Sequence, residues 1–177
     1  EWKGSFYPAD LAAKKMFGFY STRFPTVEIN ATFYRMPTDA LVLGWVAQAP
    51  EKFRFTLKAP KTITHIKRLK DCADPLAFFL GRADKRGAHH AALLFQLPPF
   101  TKKDVPLLKE FLTLLPREQR ATFEFRHASW HDDEVYAALA DAGAALCIAD
   151  SEKLTTPVVA LVVRWHSRTV PARWSRV

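Results

Sequence analysis

Glycine and cysteine are both scarce in this sequence, with six glycines and two cysteines among 177 residues. No GxGxxG or GxxxxGK[ST] motif occurs, which argues against dinucleotide-binding and P-loop phosphate sites. Cys72 and Cys147 match no metal or redox spacing, and the apolar run around Cys147 predicts a buried, reduced thiol in a cytoplasmic protein. There is no GxSxG elbow and no Cys-His nucleophile pattern, so a covalent serine or cysteine mechanism is not favoured.

Long hydrophobic runs are also missing. The longest reach about six residues, as in Val158–Val163, whereas a membrane helix needs roughly 20, so no membrane association is predicted. The start EWKGSFYPAD has no initiator Met, no cationic stretch and no apolar core, so we expect a fragment and not a signal peptide.

The overall composition is that of an ordinary globular chain, with 49% apolar and 25% charged residues. The length suits a single domain over residues 1–177. Half of the net charge of +8 comes from four arginines near the C-terminus, so we expect a basic tail from about residue 167. This concentration weakens the case for a broad nucleic-acid-binding face.

Strand-like and helix-like segments alternate along the chain. Strands are predicted at Thr26–Asn30, Phe53–Lys58, Ala91–Leu97, Thr122–Arg126, Ala144–Asp150 and Val158–Arg164. Helices are predicted at Leu11–Arg23, Asp39–Gln48, Pro75–Lys85 with Asp74 as N-cap, Lys102–Leu115 and Asp132–Ala142. This order predicts βαβ units around a parallel sheet.

Polar residues collect where the predicted strands end, which favours a closed barrel over an open doubly wound sheet. They are Glu28, Asn30, Lys58, Gln96, Glu124, Arg126, Asp150 and Arg164. A complete barrel of this kind takes about 250 residues and eight strands, so the six predicted strands indicate an incomplete TIM-type (β/α) barrel.

Two glutamates are the first candidates for chemistry. Glu28 and Glu124 alternate with apolar neighbours along their strands, so both are expected to face away from the helices. As a pair they suit acid–base catalysis or a divalent metal, with Lys58 and Arg126 as partners. The alternative is an internal ion-pair network that only ties the strands together.

Two loops add candidate side chains. The segment Glu124–Glu134 places His127 and His131 on either side of Trp130; it suits either a metal site or a loop in which Trp130 packs and Asp132 caps a helix. The segment after the Phe53 strand is cationic and could bind phosphate or carboxylate, and His65 is its best candidate for a pocket position.

Six motifs in order make the chain resemble the family called domain of unknown function 72, the YecE-like proteins. They are EWKGSFYP, FPTVEINATFYRMP, FRFTLKAPKTITH, LLFQLPPF, EFRHASW and VVRWHS, and they extend from Trp2 to about Ser167. The resemblance implies a TIM-type barrel. It also implies that this chain lacks the family's first strand and its C-terminal end.

The resemblance further assigns to this chain a set of polar positions that are characteristic of the family. They are Glu28, Asn30, Tyr34, Arg35, Lys58, His65, Gln96, Glu124, Arg126, His127, Trp130 and Asp150, together with Arg164 and His166 of an Arg-x-His-Gly element in which Ser167 replaces glycine. No biochemical role is established for the family, so the resemblance supplies a site but no reaction.

Together these features favour an enzyme that acts on a small polar or anionic substrate. Glu28, Glu124, His65 and His127 are the predicted catalytic residues, and the remaining positions are predicted to bind substrate. The alternatives are a nucleic-acid-binding or nuclease-like protein, suggested by the basic loop and tail, and a non-catalytic binding module.

Overall fold

A computed structural model describes residues 2–151 and 154–159. Within these ranges, six α-helices are formed by Ala13–Ser21 (α1), Ala31–Tyr34 (α2), Asp39–Gln48 (α3), Ala73–Ala83 (α4), Val105–Thr113 (α5) and Asp133–Asp141 (α6). Seven strands are formed by Thr26–Ile29 (β1), Arg54–Lys58 (β2), His90–Gln96 (β3), Ala121–Glu124 (β4), Ala145–Leu146 (β5), Asp150–Ser151 (β6) and Leu154–Thr155 (β7).

Strands β1 to β5 form a parallel sheet in their order along the chain, and β6 and β7 form a short antiparallel hairpin. In the parallel ladder Glu28 pairs with Thr56, and Gln96 pairs with Glu124. Consecutive parallel strands bring every carboxyl end to the same edge of the sheet. The segments that follow β1 to β5 therefore meet at that edge.

One face of the sheet carries the hydrophobic core. Phe55, Phe95 and Phe123 are completely buried on this face. Phe17 of α1 stacks on Phe55 with ring centroids 5.7 Å apart, and Phe111 of α5 packs edge-to-face on Phe95 at 5.3 Å. Each phenylalanine buried in this way contributes roughly 1.5–3 kcal/mol. This packing fixes the helices to one side of the sheet.

Side-chain caps define where three helices begin. Thr38 Oγ1 accepts a hydrogen bond from the Leu41 amide at α3, and Asp104 Oδ1 accepts one from the Leu107 amide at α5. Asp132 caps α6, which was one of the two alternatives that the sequence left open for this loop. The predicted cap at Asp74 is wrong, because α4 begins two residues earlier than predicted and Cys72 occupies the N-cap position without a side-chain bond.

The opposite face of the sheet is polar towards its carboxyl edge. Because side chains alternate along a strand, Glu28, Lys58, Gln96 and Glu124 point away from the helix-covered core. Gln96 and Glu124 are nevertheless buried, with 6% of each residue exposed. A buried polar pair at this position has to satisfy its hydrogen bonds within the protein.

The α/β class and the parallel sheet are confirmed, while the closed barrel stays a prediction. The predicted strand Val158–Arg164 extends beyond the described residues. Within residues 2–151 and 154–159, no helix has the length and apolar character needed to cross a membrane. The cytoplasmic location stays a prediction.

Candidate functional site

Glu124 is the anchor of the polar face. Its Oε2 accepts a hydrogen bond of 2.8 Å from Gln96 Nε2, and its Oε1 accepts one of 2.8 Å from Arg126 Nε. Gln96 reaches it because the two residues are register partners on β3 and β4. Arg126 remains 42% exposed, so the outer part of its guanidinium faces solvent. The carboxylate thus holds a partly exposed cation in a fixed orientation.

Glu28, at the end of β1, lies in a different environment. Its residue reaches solvent, but the surrounding protein removes water from the carboxylate and raises its pKa. The negative charge of Glu124 raises the pKa further, and Lys58 opposes both effects. The structure therefore combines a carboxylate that is ion-paired with Arg126 and a carboxylate, that of Glu28, whose pKa is raised above its ordinary value.

Lys58 ends β2 and lies beside a short aromatic helix. Its Nζ is 5.2 Å from the centroid of the Phe33 ring, which is a cation–π contact. Thr32 ties the same helix, α2, to the sheet, because its Oγ1 lies 2.6 Å from the Lys58 carbonyl oxygen and 2.9 Å from that of Ile29. These contacts fix the position of the ammonium group at the carboxyl edge.

His65 lies in a π-helical turn, Thr62–Ile66, that follows β2. Its Nδ1 is 2.9 Å from Thr64 Oγ1, so Nε2 is the nitrogen that can meet a ligand. Burial lowers the pKa of the imidazole, and the positive charges of Lys58 and Arg126 lower it further. His65 is therefore the neutral imidazole of the site at neutral pH.

We call Glu28, Lys58, Gln96, Glu124 and Arg126 the charged cluster. His65 belongs next to it, because its protonation responds to two cluster cations. The sequence predicted that these polar residues share one edge of the sheet, and the fold does bring them together. Their roles in binding and catalysis stay predictions.

Cys147 is the residue that the sequence reasoning missed. Its amide donates a 2.8 Å hydrogen bond to the Phe123 carbonyl, which places it directly after β5. Burial raises the pKa of the thiol, and the charges of Glu124 and Glu28 raise it further, so the protonated thiol lies close to both carboxylates. The sequence signal that could have identified Cys147 is its position near the end of a predicted strand. Its apolar neighbours in the sequence favoured a buried structural thiol instead.

Two of the predicted site residues have packing and capping contacts instead. His127 caps a 3₁₀ turn, with its Nδ1 accepting a hydrogen bond of 3.2 Å from the Ser129 amide. Trp130 is 2% exposed, stacks on Phe125 with centroids 4.5 Å apart, and donates from Nε1 to the Thr101 carbonyl oxygen at 2.7 Å. The predicted roles of both residues in catalysis and binding stay predictions.

Three predicted binding residues follow β1. Asn30 is exposed at the N-cap position of α2 and makes no side-chain cap bond, Tyr34 is 72% exposed, and Arg35 is exposed. Asp150 belongs to β6, but its side chain is outside the described part. Arg164 and His166 lie outside the described residues.

The described ranges contain no group of three His, Cys, Asp or Glu side chains that could hold a metal ion. A groove of about 790 Å³ lies between α5 and α6, lined by Leu112, Ala138 and Gly143 among others. None of the predicted site residues lines this groove, so it is separate from the charged cluster.

Comparison with known proteins gives related chains of greater length. The chain is 37% identical to the UPF0759 protein YecE of Escherichia coli K12 over 109 residues, covering 61% of this chain and 40% of that protein. It is 31% identical to the UPF0759 protein YunF of Bacillus subtilis 168 over 144 residues, covering 75% of this chain and 50% of that protein. The chain therefore spans half or less of the length of these relatives.

Solved structures show the same fold. A DUF72 family protein of Thermotoga maritima MSB8 matches with a TM-score of 0.74 and 28% identity, covering 86% of this chain and 62% of that one. A DUF72 family protein of Enterococcus faecalis V583 matches in fold with a TM-score of 0.66 and 20% identity, covering 75% of this chain and 52% of that one.

The family model described as protein of unknown function DUF72 matches residues 1–176. Since this match covers almost the whole chain, the chain belongs to the DUF72 family.

Proposed function

We propose that this chain forms part of an enzyme that carries out acid–base chemistry on a small anionic substrate at the carboxyl edge of the sheet. The observation that carries the proposal is the contrast between the two glutamates. Glu124 is ion-paired with Arg126, whereas the pKa of Glu28 is raised by the loss of water around its carboxylate and by the charge of Glu124, against the opposing charge of Lys58. Carboxyl groups in contrasting environments are the arrangement used for proton transfer near neutral pH.

Two cations would bind the substrate anion. Lys58 and Arg126 both lower the pKa of the His65 imidazole, so their positive fields overlap at that ring. Arg126 uses Nε for Glu124 and keeps its exposed edge for a ligand. A phosphate or carboxylate placed between them would gain charge-assisted hydrogen bonds from both side chains.

The two glutamates would have different tasks. Both oxygens of Glu124 already accept hydrogen bonds, so this carboxylate acts by positioning Arg126 and Gln96. Glu28 would exchange a proton with the substrate, because its raised pKa allows the protonated form to persist at higher pH. His65 would be the second proton carrier through Nε2. The Cys147 thiol would line the site close to the carboxylates of Glu28 and Glu124.

The same arrangement supports the finer fold prediction. Five consecutive parallel strands with their helices packed on one face are the wall of a TIM-type barrel, and such barrels place their active sites at the carboxyl edge. We propose that this sheet is part of such a barrel.

Anion binding is tested with inorganic phosphate in a thermal melt. Phosphate should raise the melting temperature of the wild-type chain, since a ligand at a hundred times its dissociation constant adds about 2.7 kcal/mol of stability. The Lys58→Met variant should lose the shift. Glu110→Gln, on the exposed side of α5, should keep it. A shift that survives in Lys58→Met would contradict the proposed anion site.

Catalysis is tested with a panel of small phosphorylated and carboxylated metabolites followed by NMR in D₂O, which reports both turnover and proton exchange. Glu28→Gln should abolish the reaction of any active panel member, and Glu124→Gln should lower it by at least a hundredfold. Glu110→Gln should retain wild-type rates. Unchanged turnover in Glu28→Gln, or a panel without turnover, would overturn the enzyme assignment in favour of a binding module.

A further inference from the structure

Tyr34 is an exposed aromatic residue that is connected to Lys58 of the charged cluster through Phe33. It ends α2, directly after β1, and 72% of the residue is exposed. Its ring is packed edge-to-face against Phe33, with centroids 5.1 Å apart and an angle of 89° between the planes. One edge contact therefore orients the ring, while most of its surface faces solvent.

The Phe33 ring, against which Tyr34 packs, makes two further contacts. Phe33 packs edge-to-face with His65 at 4.8 Å and lies 5.2 Å from the Lys58 ammonium. We call Phe33, Tyr34 and His65 the aromatic platform. Tyr34 and Lys58 thus contact the same phenyl ring. The exposed ring of Tyr34 and the ammonium group of Lys58 are therefore linked through a single phenyl ring.

Neighbouring loops at the same edge are also apolar at their tips. Ile66, in the turn after β2, is 63% exposed, and Phe100, in the loop after β3, is 66% exposed. A fully hydrated inorganic anion gains no binding free energy from such apolar surfaces, because it has no apolar part to bury against them. A ligand with an apolar or aromatic body would bury them.

We propose that the substrate is a small anion with a planar ring, whose phosphate or carboxylate binds Lys58 and Arg126 while its ring stacks on Tyr34. This inference rests on the proposed function and adds the class of substrate to it. Stacked or edge-packed aromatic pairs contribute beyond the area that they bury, and the pre-oriented ring of Tyr34 limits the entropy lost on binding.

The test compares phenyl phosphate with methyl phosphate by isothermal titration calorimetry. The two probes carry the same headgroup, so their difference in affinity reports the ring alone. Phenyl phosphate should bind the wild-type chain about tenfold more tightly. Tyr34→Ala should reduce this ratio to near one, and Tyr34→Phe should retain it, because the inference depends on the ring and not on the hydroxyl.

A matched control is provided by Phe78, which is half exposed on α4 and stacks under the Arg82 guanidinium, remote from the cluster. Phe78→Ala should leave the ratio unchanged. Equal affinities for both probes in the wild-type chain would overturn the inference while the anion site of the proposed function stands. Binding of neither probe would overturn both.

Nucleic acid is distinguished in the same titration. A double-stranded oligonucleotide that binds with a steep dependence on salt, and with no loss in Tyr34→Ala, would indicate contacts to the phosphate backbone. That result, together with a phenyl-to-methyl ratio near one, would replace the ring-bearing small anion by a nucleic-acid partner.

Discussion

His90 shows how burial changes the charge of a single side chain. Both ring nitrogens are buried, and neither has a hydrogen-bond partner among the described residues. Burial lowers the pKa of the imidazole to about 3, with further lowering by the charges of Arg86 and Arg120. His90 is therefore neutral in the folded protein over a range of pH in which an unfolded histidine binds a proton.

This difference predicts acid sensitivity. The folded pKa is below the ordinary value of 6.5, so the stabilising effect of neutral His90 is complete above pH 6.5 and is lost as the pH falls towards 3. Each pH unit in that window costs up to about 1.4 kcal/mol of the free energy of unfolding. Urea unfolding measured from pH 7.5 to pH 4 should show this decline.

The matched variant is His90→Leu, which removes the titrating group and keeps a side chain of similar size. Its free energy of unfolding should depend less steeply on pH between 6.5 and 4 than that of the wild-type chain. Parallel curves for the two proteins would show that other groups cause the acid sensitivity and that His90 is not buried as described.

At the scale of elements, a β-bulge interrupts the regular pairing of β2 with β3. Phe55 pairs with His90 but Thr56 pairs with Ala92, so β3 contains one additional residue. Arg86, which is 1% exposed, inserts its side chain next to this bulge. Its Nη1 donates to the carbonyl oxygens of Phe55 at 3.0 Å and Ala92 at 3.3 Å, and its Nε donates to that of Ala83 at 2.6 Å.

Arg86→Met should therefore destabilise the chain by about 3 kcal/mol, because it leaves three buried carbonyl groups without this donor. Urea unfolding at pH 7.5 measures the effect. Arg82→Met, on α4 with its guanidinium over the exposed Phe78 ring, should change stability by less than about 0.5 kcal/mol. A loss in Arg86→Met no larger than in Arg82→Met would show that the bulge does not depend on this side chain.

The elements also show what can be read from sequence. Helix α3 has the predicted bounds, since a threonine cap marks its start and the extended backbone of Ala49 marks its end. The predicted strand Ala144–Asp150 is divided in the structure: Ala145–Leu146 forms β5, and Asp150 begins β6. Strand β5 is short because its ladder with β4 consists of the pairs with Thr122 and Phe123. Apolar patterning identifies which segments are buried, but pairing length depends on the neighbouring strand.

For the site, alternation along strands placed Glu28 and Glu124 on a common face. The negative charge of Glu124 contributes to the raised pKa of Glu28, which is consistent with this expectation. The cap formed by His127 and the stacking of Trp130 follow from contacts between distant segments, which local pattern does not describe. The same limit applies to Arg86, whose partners include Phe55, 31 positions earlier in the chain.

At the scale of the whole molecule, stability is concentrated at the centre of the sheet. Strands β2 and β3 each pair on both sides, and Phe55, Leu57, Leu93 and Phe95 are completely buried on their helix-covered face. Strand β5 pairs through two residues, and Cys147 beyond it is half-buried. Regions with many buried contacts open only in global unfolding, whereas sparsely packed regions open locally.

Native-state hydrogen exchange in increasing urea tests this distribution with two matched amides. Leu93 N donates to the Arg120 carbonyl and Cys147 N donates to the Phe123 carbonyl, each at 2.8 Å, so bond length does not distinguish them. The Leu93 amide should exchange with the free energy of global unfolding, because exposing it requires separating β3 from β4 across the core. The Cys147 amide should exchange with a smaller free energy that depends little on urea. Equal protection of the two amides would mean that the sheet opens as one unit, with the carboxyl end of β5 as firmly held as its centre.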